Sequence, residues 1–169
     1  GVLLGVFIDA ALARQAHTLG VGAAFEAVFN GAGESDVAKR FTAQARVAAL
    51  HDGRFVGRRG IFKGGTVEFG PGAALDLGGI SVVVGTQRQQ CADPVFFEAL
   101  GLDIGKARGV VVKSRGHFRA GFDEFFAPDR VIEVDCPGLT SPVLTRFPFK
   151  RLPRPSIPLD ADAAWTPPF

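Results

Sequence analysis

From residue 80 onward the apolar positions change rhythm. Short runs of consecutive apolar residues, each ending on polar side chains, alternate with stretches whose apolar positions recur at helical spacing. Residues 80–85 (Ile-Ser-Val-Val-Val-Gly) lead into Thr86-Gln87-Arg88, and 109–112 lead into Lys113-Ser114-Arg115-Gly116-His117-Phe118-Arg119. Residues 131–134 lead into Asp135-Cys136-Pro137-Gly138. Between these runs, 94–100 carries Phe96, Phe97 and Leu100, and 117–126 carries Phe118, Phe122, Phe125 and Phe126, stopped by Pro128. The pattern predicts a β-α-β-α-β unit with parallel strands and right-handed crossovers. All strand carboxyl ends then lie on one edge, where open α/β sheets bind ligands.

The first half follows a different rule. Asp9 is placed to cap a helix running to about Leu19, with Gly20 as its stop. Residues 23–30 and 41–50 alternate as strands do: Phe25, Ala27 and Phe29 share one face of the first. Phe41, Ala43, Ala45, Val47 and Ala49 share a face of the second, opposite Thr42, Gln44 and Arg46. The polar, Gly-rich stretch 30–39 reads as a mobile connection. Asp52-Gly53 is a hairpin signal joining Leu50 to Phe55-Val56. Strands at 66–69 and 73–77 follow, separated by Gly70-Pro71-Gly72, and Gly78-Gly79 leads into Ile80. The predicted class is α/β (mixed α+β): an antiparallel meander followed by the parallel unit. Residues 1–160 form a single domain in this reading. From 137 prolines recur at 142, 148, 153, 155, 158, 167 and 168, so the end of the chain is expected to be extended, with 161–169 a tail.

Composition narrows the function classes. The chain has 169 residues, 47% hydrophobic and 21% charged, with net charge +2. That excess is too small to argue for nucleic acid or an anionic membrane. The basic residues Arg146, Lys150, Arg151 and Arg154 read as a solvated arm, because stacking aromatics in a groove do not interleave with them. No apolar run approaches the ~20 residues that span a bilayer, and nothing resembles a signal peptide. Cys91 and Cys136 are too few for a disulfide framework, which favours a cytoplasmic setting. The chain holds no methionine. It is therefore expected to be part of a longer polypeptide, with some of the active site elsewhere.

The densest polar cluster at a strand end is 113–119. Lys113 and Arg119 supply positive charge, Gly116 permits close backbone approach, and a helix starting near His117 would aim N–H groups at the same edge. Such a site suits a carboxylate, a phosphate or a developing oxyanion. An ordinary helix start, with solvated basic residues, His117 as a partly buried cap and Ser114 capping, is the alternative, and Ser114 capping alone explains half of the same pattern. Arg88 and Gln90 are donors on that edge, and Asp135 either pairs with Lys113 or Arg119 or starts a turn. The candidate substrate-binding residues are thus Arg88, Lys113, Ser114, His117, Arg119 and Asp135. A Ser114–His117–Asp135 triad has no nucleophile-elbow context. No metal site is expected within the chain: His17, His51 and His117 are scattered, without spacing that puts two ligands on one face.

Several stretches, in order, resemble the C-terminal domain of the MlrC (microcystinase C, microcystin-degradation protein) family. They are Gly20-Val21-Gly22, Asp52-Gly53-Arg54-Phe55, Thr66-Val67-Glu68-Phe69-Gly70-Pro71 and Gly79-Ile80-Ser81-Val82-Val83-Val84. Asp93-Pro94 with Phe97 and Ala99-Leu100-Gly101-Leu102-Asp103 come next, then Val111-Val112-Lys113-Ser114 with His117-Phe118-Arg119-Ala120. Glu133-Val134-Asp135 with Pro137-Gly138, and Arg154-Pro155 with Pro158-Leu159-Asp160, complete the set. The resemblance covers roughly residues 8–160. It implies a two-domain, zinc-dependent hydrolase of peptide or amide bonds whose histidine and carboxylate ligands belong to an N-terminal domain. That domain, and the Asp-Asn-Pro-Gly-Gly-Gly segment usual before the region matching Gly1, are not in this sequence. The implied partners are the N-terminal domain and a peptide-like or other amide small-molecule substrate, with no nucleic acid and no membrane. No zinc ligand carries over, and this stretch alone is expected to be inactive. A non-catalytic structural or small-molecule-binding module is the alternative.

Overall fold

The computed structural model describes residues 1–136, 141, 143–157, 159–160 and 162–164. The chain divides into two compact units, Gly1–Val131 and Ile132–Phe169. Among the described residues, no helix is long and apolar enough to cross a membrane.

The first unit begins with a strand that the sequence analysis did not anticipate, β1 (Val2–Ile8). Its run Val-Leu-Leu-Gly-Val-Phe-Ile is apolar at nearly every position, as befits a strand covered on both faces. It is followed by α1 (Ala10–Leu19), capped by Asp9 and ended by Gly20 as expected. Next come β2 (Ala24–Phe29), β3 (Phe41–His51), β4 (Arg54–Val56), β5 (Thr66–Glu68), β6 (Gly72–Asp76) and β7 (Ile80–Gly85). The short helix α2 (Val95–Glu98), β8 (Gly109–Val112) and α3 (Phe118–Phe122) complete the unit. The main sheet has the order β2-β3-β6-β7-β1-β8. β2, β3, β6 and β7 pair antiparallel in succession, and β1 runs parallel to both β7 and β8. The mixed class, an antiparallel front half joined to parallel strands, is borne out.

Three details differ from expectation. The parallel neighbour that β7 and β8 share is β1, inserted between them, whereas residues 131–134 form no strand. Ile132 and Val134 are 86% and 74% exposed, so no apolar burial offsets the entropy of ordering that run in a ladder. Asp52-Gly53 does not close a hairpin onto β3, because β4 pairs with β5 in a separate two-stranded sheet. Gly53 adopts φ +83°, and a Cβ there would sit 1.8 Å from the Gly70 carbonyl oxygen; its own carbonyl accepts the Phe69 N–H at 2.7 Å. The turn therefore sends the chain off the sheet instead of back along it. The helices α2 and α3 are also shorter than the periodic stretches that announced them.

Both faces of the sheet are covered. On one, Leu12, Ala13 and Ala16 of α1 join Ala27, Phe29, Val47, Ala73, Leu75 and Val84. A bulge between Val47 and Ala49 bends β3, and the β2–β3 hairpin returns towards the end of β1. There Phe29 meets Phe7 edge-on at 5.2 Å, and the Asn30 N–H donates to Asp9 Oδ2 at 3.1 Å. The stretch 30–39, read as mobile from sequence, is tied by Asn30 Nδ2 to the Lys39 carbonyl and by Glu34 Oε1, which accepts the Arg40 N–H. On the other face, Phe69, Phe96, Phe97 and Phe122 pack with Leu3, Ala74 and Val83.

In the second unit the described residues hold a single short helical turn, Leu144–Arg146. Arg146 pairs with Asp135, Arg154 pairs with Asp160, and the Phe147 and Phe149 rings lie 5.9 Å apart. Pro137, Gly138, Pro142, Pro158, Pro167 and Pro168 of the expected turn and tail lie outside the described residues.

The ring of Phe69 fills the space above Gly85, where a Cβ would stand 2.1 Å from two ring carbons. Gly85→Ala should therefore lower stability by about 1–3 kcal/mol through overpacking. Phe69→Leu in the same chain should recover part of that loss, measured by denaturant unfolding of both single variants and the double.

Candidate functional site

Because β7, β1 and β8 are parallel, their carboxyl ends at Gly85, Ile8 and Val112 fall on the same side of the sheet. The ends of β7 and β8 are two strand spacings apart, about 10 Å. The loops that leave them meet: Gln90 Nε2 donates to Ser114 Oγ at 2.8 Å. Lys113 is exposed, and its backbone N–H donates to the Gly5 carbonyl at 3.2 Å, which ties the residue to the central strand. Arg88 is exposed in the loop after β7, and Ser114 is half-buried. His117 is exposed immediately before α3, and its side chain caps nothing there. Arg119 lies with its guanidinium carbon 4.8 Å from the centre of the Phe118 ring. α3 has five residues, and the Arg119 N–H is used by the Gly116 carbonyl. The helix-terminus contribution expected from sequence is accordingly small.

Asp135 belongs to the second unit, where its carboxylate pairs with Arg146. Asp9 stands at the end of β1, but both its oxygens serve the fold: Oδ1 accepts the Leu12 N–H at 3.0 Å and Oδ2 accepts that of Asn30.

What holds the loops of this edge is Asp93, which in sequence stands beside Pro94 just ahead of the helical stretch 94–100. Its side chain is fully buried. Oδ2 accepts the backbone N–H groups of Arg58 and Arg59, each at 2.7 Å, and Oδ1 accepts that of Val95 at 2.9 Å. The two arginines then reach outward. Arg58 binds Glu98 with Nε at 3.0 Å and Nη2 at 2.8 Å, and also pairs with Glu124. Arg59 pairs with Asp123 and lies 3.6 Å from Glu124. The hydrogen bond to Arg58 holds the Glu124 carboxyl below its ordinary range, and the bond to Glu124 raises the Arg58 guanidinium further above its own. α3 is pressed onto the same node, since a Cβ on Gly121 would lie 2.2 Å from the Ala92 carbonyl oxygen. No local pattern announces this role, because Arg58-Arg59 and Asp93 are more than thirty residues apart.

Metal chemistry finds little support in these residues. Among the described residues no three His, Cys, Asp or Glu side chains gather to hold an ion. His17 Nε2 donates to the Gly72 carbonyl at 3.0 Å, and His51 Nδ1 accepts the Gly53 N–H at 2.8 Å. Cys91 is buried, and burial first, then the nearby Asp93 charge, push its thiol far above the ordinary range. It packs as a small apolar side chain in the core beside Phe96 and Phe97.

Residues 1–151 match the family described as MlrC C-terminus, and the chain belongs to that family. The resemblance read from the sequence is thereby borne out. The fold is similar to a crystal structure of a candidate metallopeptidase from Mesorhizobium sp. BNC1, with a TM-score of 0.78 and 28% identity over 97% of this chain. The chain spans about a third of that protein, 32% of its length. No curated protein matches the chain.

Removing the Asp93 carboxylate strands three backbone donors in the core. Asp93→Ala should cost about 3 kcal/mol or more. Asp93→Asn, which keeps one acceptor, should cost less, and chemical denaturation of the pair checks the order.

The thiols give a second expectation. In the folded chain Cys136, which is exposed, should react quickly with an aromatic disulfide, and Cys91 only on unfolding. Because the folded state raises the Cys91 thiol, its contribution to stability is complete below 9.0, the thiol's ordinary value, and falls as pH rises above it. Replacing Cys91 with Ala should flatten that alkaline decline in unfolding free energy.

Proposed function

We propose that this chain is the C-terminal domain of a metallopeptidase-like hydrolase and that its strand-end edge receives an anionic group of a peptide-like or other amide substrate. Arg88 and Lys113 would supply charge, Ser114 a hydroxyl donor, and His117 and Arg119 the flank. The observation that carries the reading is the Gln90–Ser114 hydrogen bond, which joins the loops after β7 and β8 on the carboxyl side of the parallel strands. Family membership and the Mesorhizobium structure support the hydrolase class. Zinc is the metal that the family resemblance implies. The described residues here do not fit it, since His17 and His51 are spent on backbone groups. Any metal would be held by another part of the polypeptide. The role left to this domain is to hold and orient the substrate through fixed donors that need no reorganisation as charge develops.

The test is Lys113→Ala in the polypeptide that carries this domain, with turnover on a cleavable peptide and thermal midpoint measured together. Loss of one donor at a reacting centre slows turnover by roughly 10²–10³-fold. An exposed lysine with no such role changes stability by within about 0.5 kcal/mol and leaves activity intact. Unchanged turnover would favour a purely structural module.

A further inference from the structure

We propose that Gln90 is a positioning residue: it fixes the direction of the Ser114 hydroxyl proton and so makes Ser114 a one-way donor towards a carboxylate bound at the strand-end edge. The proposal rests on the anion-binding reading above and deepens it by naming the ligand class.

An amide nitrogen only donates, so at 2.8 Å from Gln90 Nε2 the Ser114 oxygen is the acceptor. A hydroxyl has one proton and two lone pairs. With one lone pair committed to Gln90, the proton points away from it, and a ligand oxygen that meets Ser114 meets a donor. Gln90 is well placed to impose this. It is half-buried, its carbonyl accepts the Ala92 N–H at 2.8 Å, and the chain that follows it, from Cys91 to Pro94, is buried. The neighbouring Gln89 is turned the other way, with Nε2 on the Glu68 carbonyl at 2.8 Å.

The ligand class follows from what the two loops contain. Residues 86–92 and 109–119 include Arg88, Lys113, Arg115, His117 and Arg119, and no aspartate or glutamate. An edge built from a directed O–H and cationic side chains, with Asp93, the acidic residue of these loops, fully buried and bonded to backbone N–H groups, repels cations and favours an oxygen anion over a neutral amide.

The experiment uses the 169-residue chain and two probes, N-acetylglycylglycine and its C-terminal amide, titrated by calorimetry at low salt. Wild type should bind the carboxylate and discriminate against the amide. Ser114→Ala should weaken carboxylate binding by about 10-fold, the size of one charge-assisted hydrogen bond. Gln90→Glu, which accepts where Gln90 donates and so draws the Ser114 proton inward, should weaken it comparably, and Gln90→Leu, which frees the hydroxyl to rotate, by less. The Gln90→Leu/Ser114→Ala double variant should be no weaker than Ser114→Ala alone by more than about 2-fold, because without the Ser114 hydroxyl Gln90 has nothing left to position. Thermal midpoints confirm that each variant is folded, and Gln90→Leu serves if Gln90→Glu does not fold. If Ser114→Ala and Lys113→Ala weaken binding while both Gln90 variants bind as wild type, the positioning role is wrong and the anion-binding edge stands. Additive losses in the double variant would make Gln90 a direct ligand contact and overturn the proposal in the same way. No preference for the carboxylate in wild type would overturn the edge reading and this proposal together.

Discussion

A carboxylate sealed away from water is tolerable only when its lone pairs are occupied, and in this fold Asp93 meets that condition with three backbone N–H groups. The consequence is architectural. Arg58 and Arg59 lie in the excursion between β4 and β5, Val95 opens α2, and one side chain locks the two together. Once their backbones are fixed, the guanidinium groups can meet Glu98 of α2 and Asp123 and Glu124 just beyond α3. These outer pairs are partly exposed and individually weak. The buried carboxylate sets the geometry in which they form.

The loop 113–117 inherits its position from this arrangement. It begins at β8, whose register with the central strand β1 is set by backbone pairing, and it ends at α3, where Gly121 rests on the Ala92 carbonyl. Ala92 is the residue before Asp93, and Gln90 stands two further back. The partner of Ser114 is therefore held by the same short segment that carries the buried node. A site made of loops can be rigid when each end of each loop is fastened to the core, as both are here.

Much of this was legible in the sequence, and the misses have physical reasons. α1 was readable from end to end because Asp9 and Gly20 are unambiguous cap and stop residues, and the hydrogen bonds they make are those their types predict. The alternation in 41–50 gave the buried face of β3 correctly at Ala45 and Val47. β1 was missed although its apolar run is the plainest in the chain, and residues 131–134 were taken instead for the third parallel strand. Both contain β-branched residues, and local pattern does not say which finds a place in the sheet. The site residues were legible as strand-end polar residues, and the pairing of Gln90 with Ser114 was not, since it spans 24 positions. Asp93 was the deepest miss. Asp-Pro at a helix start explains the dipeptide fully at local range, so nothing prompted a search for its distant partners.

The distribution of charge in the first unit connects the node to the edge. Glu98, Asp123 and Glu124 are consumed by Arg58 and Arg59 around α2 and α3. The loops that follow β7 and β8 expose cationic and amide side chains, and their one carboxylate, Asp93, is buried in the node itself. Acid and base are thus sorted by position, although the whole sequence is close to neutral at +2. Screening at physiological salt confines a surface charge to about 8 Å, so a ligand at the strand ends senses the local groups more than the net charge. A nearly neutral domain can in this way present a local positive field, and the same folding constraint that gathers carboxylates at the node leaves the exposed positions after β7 and β8 to cationic and amide side chains.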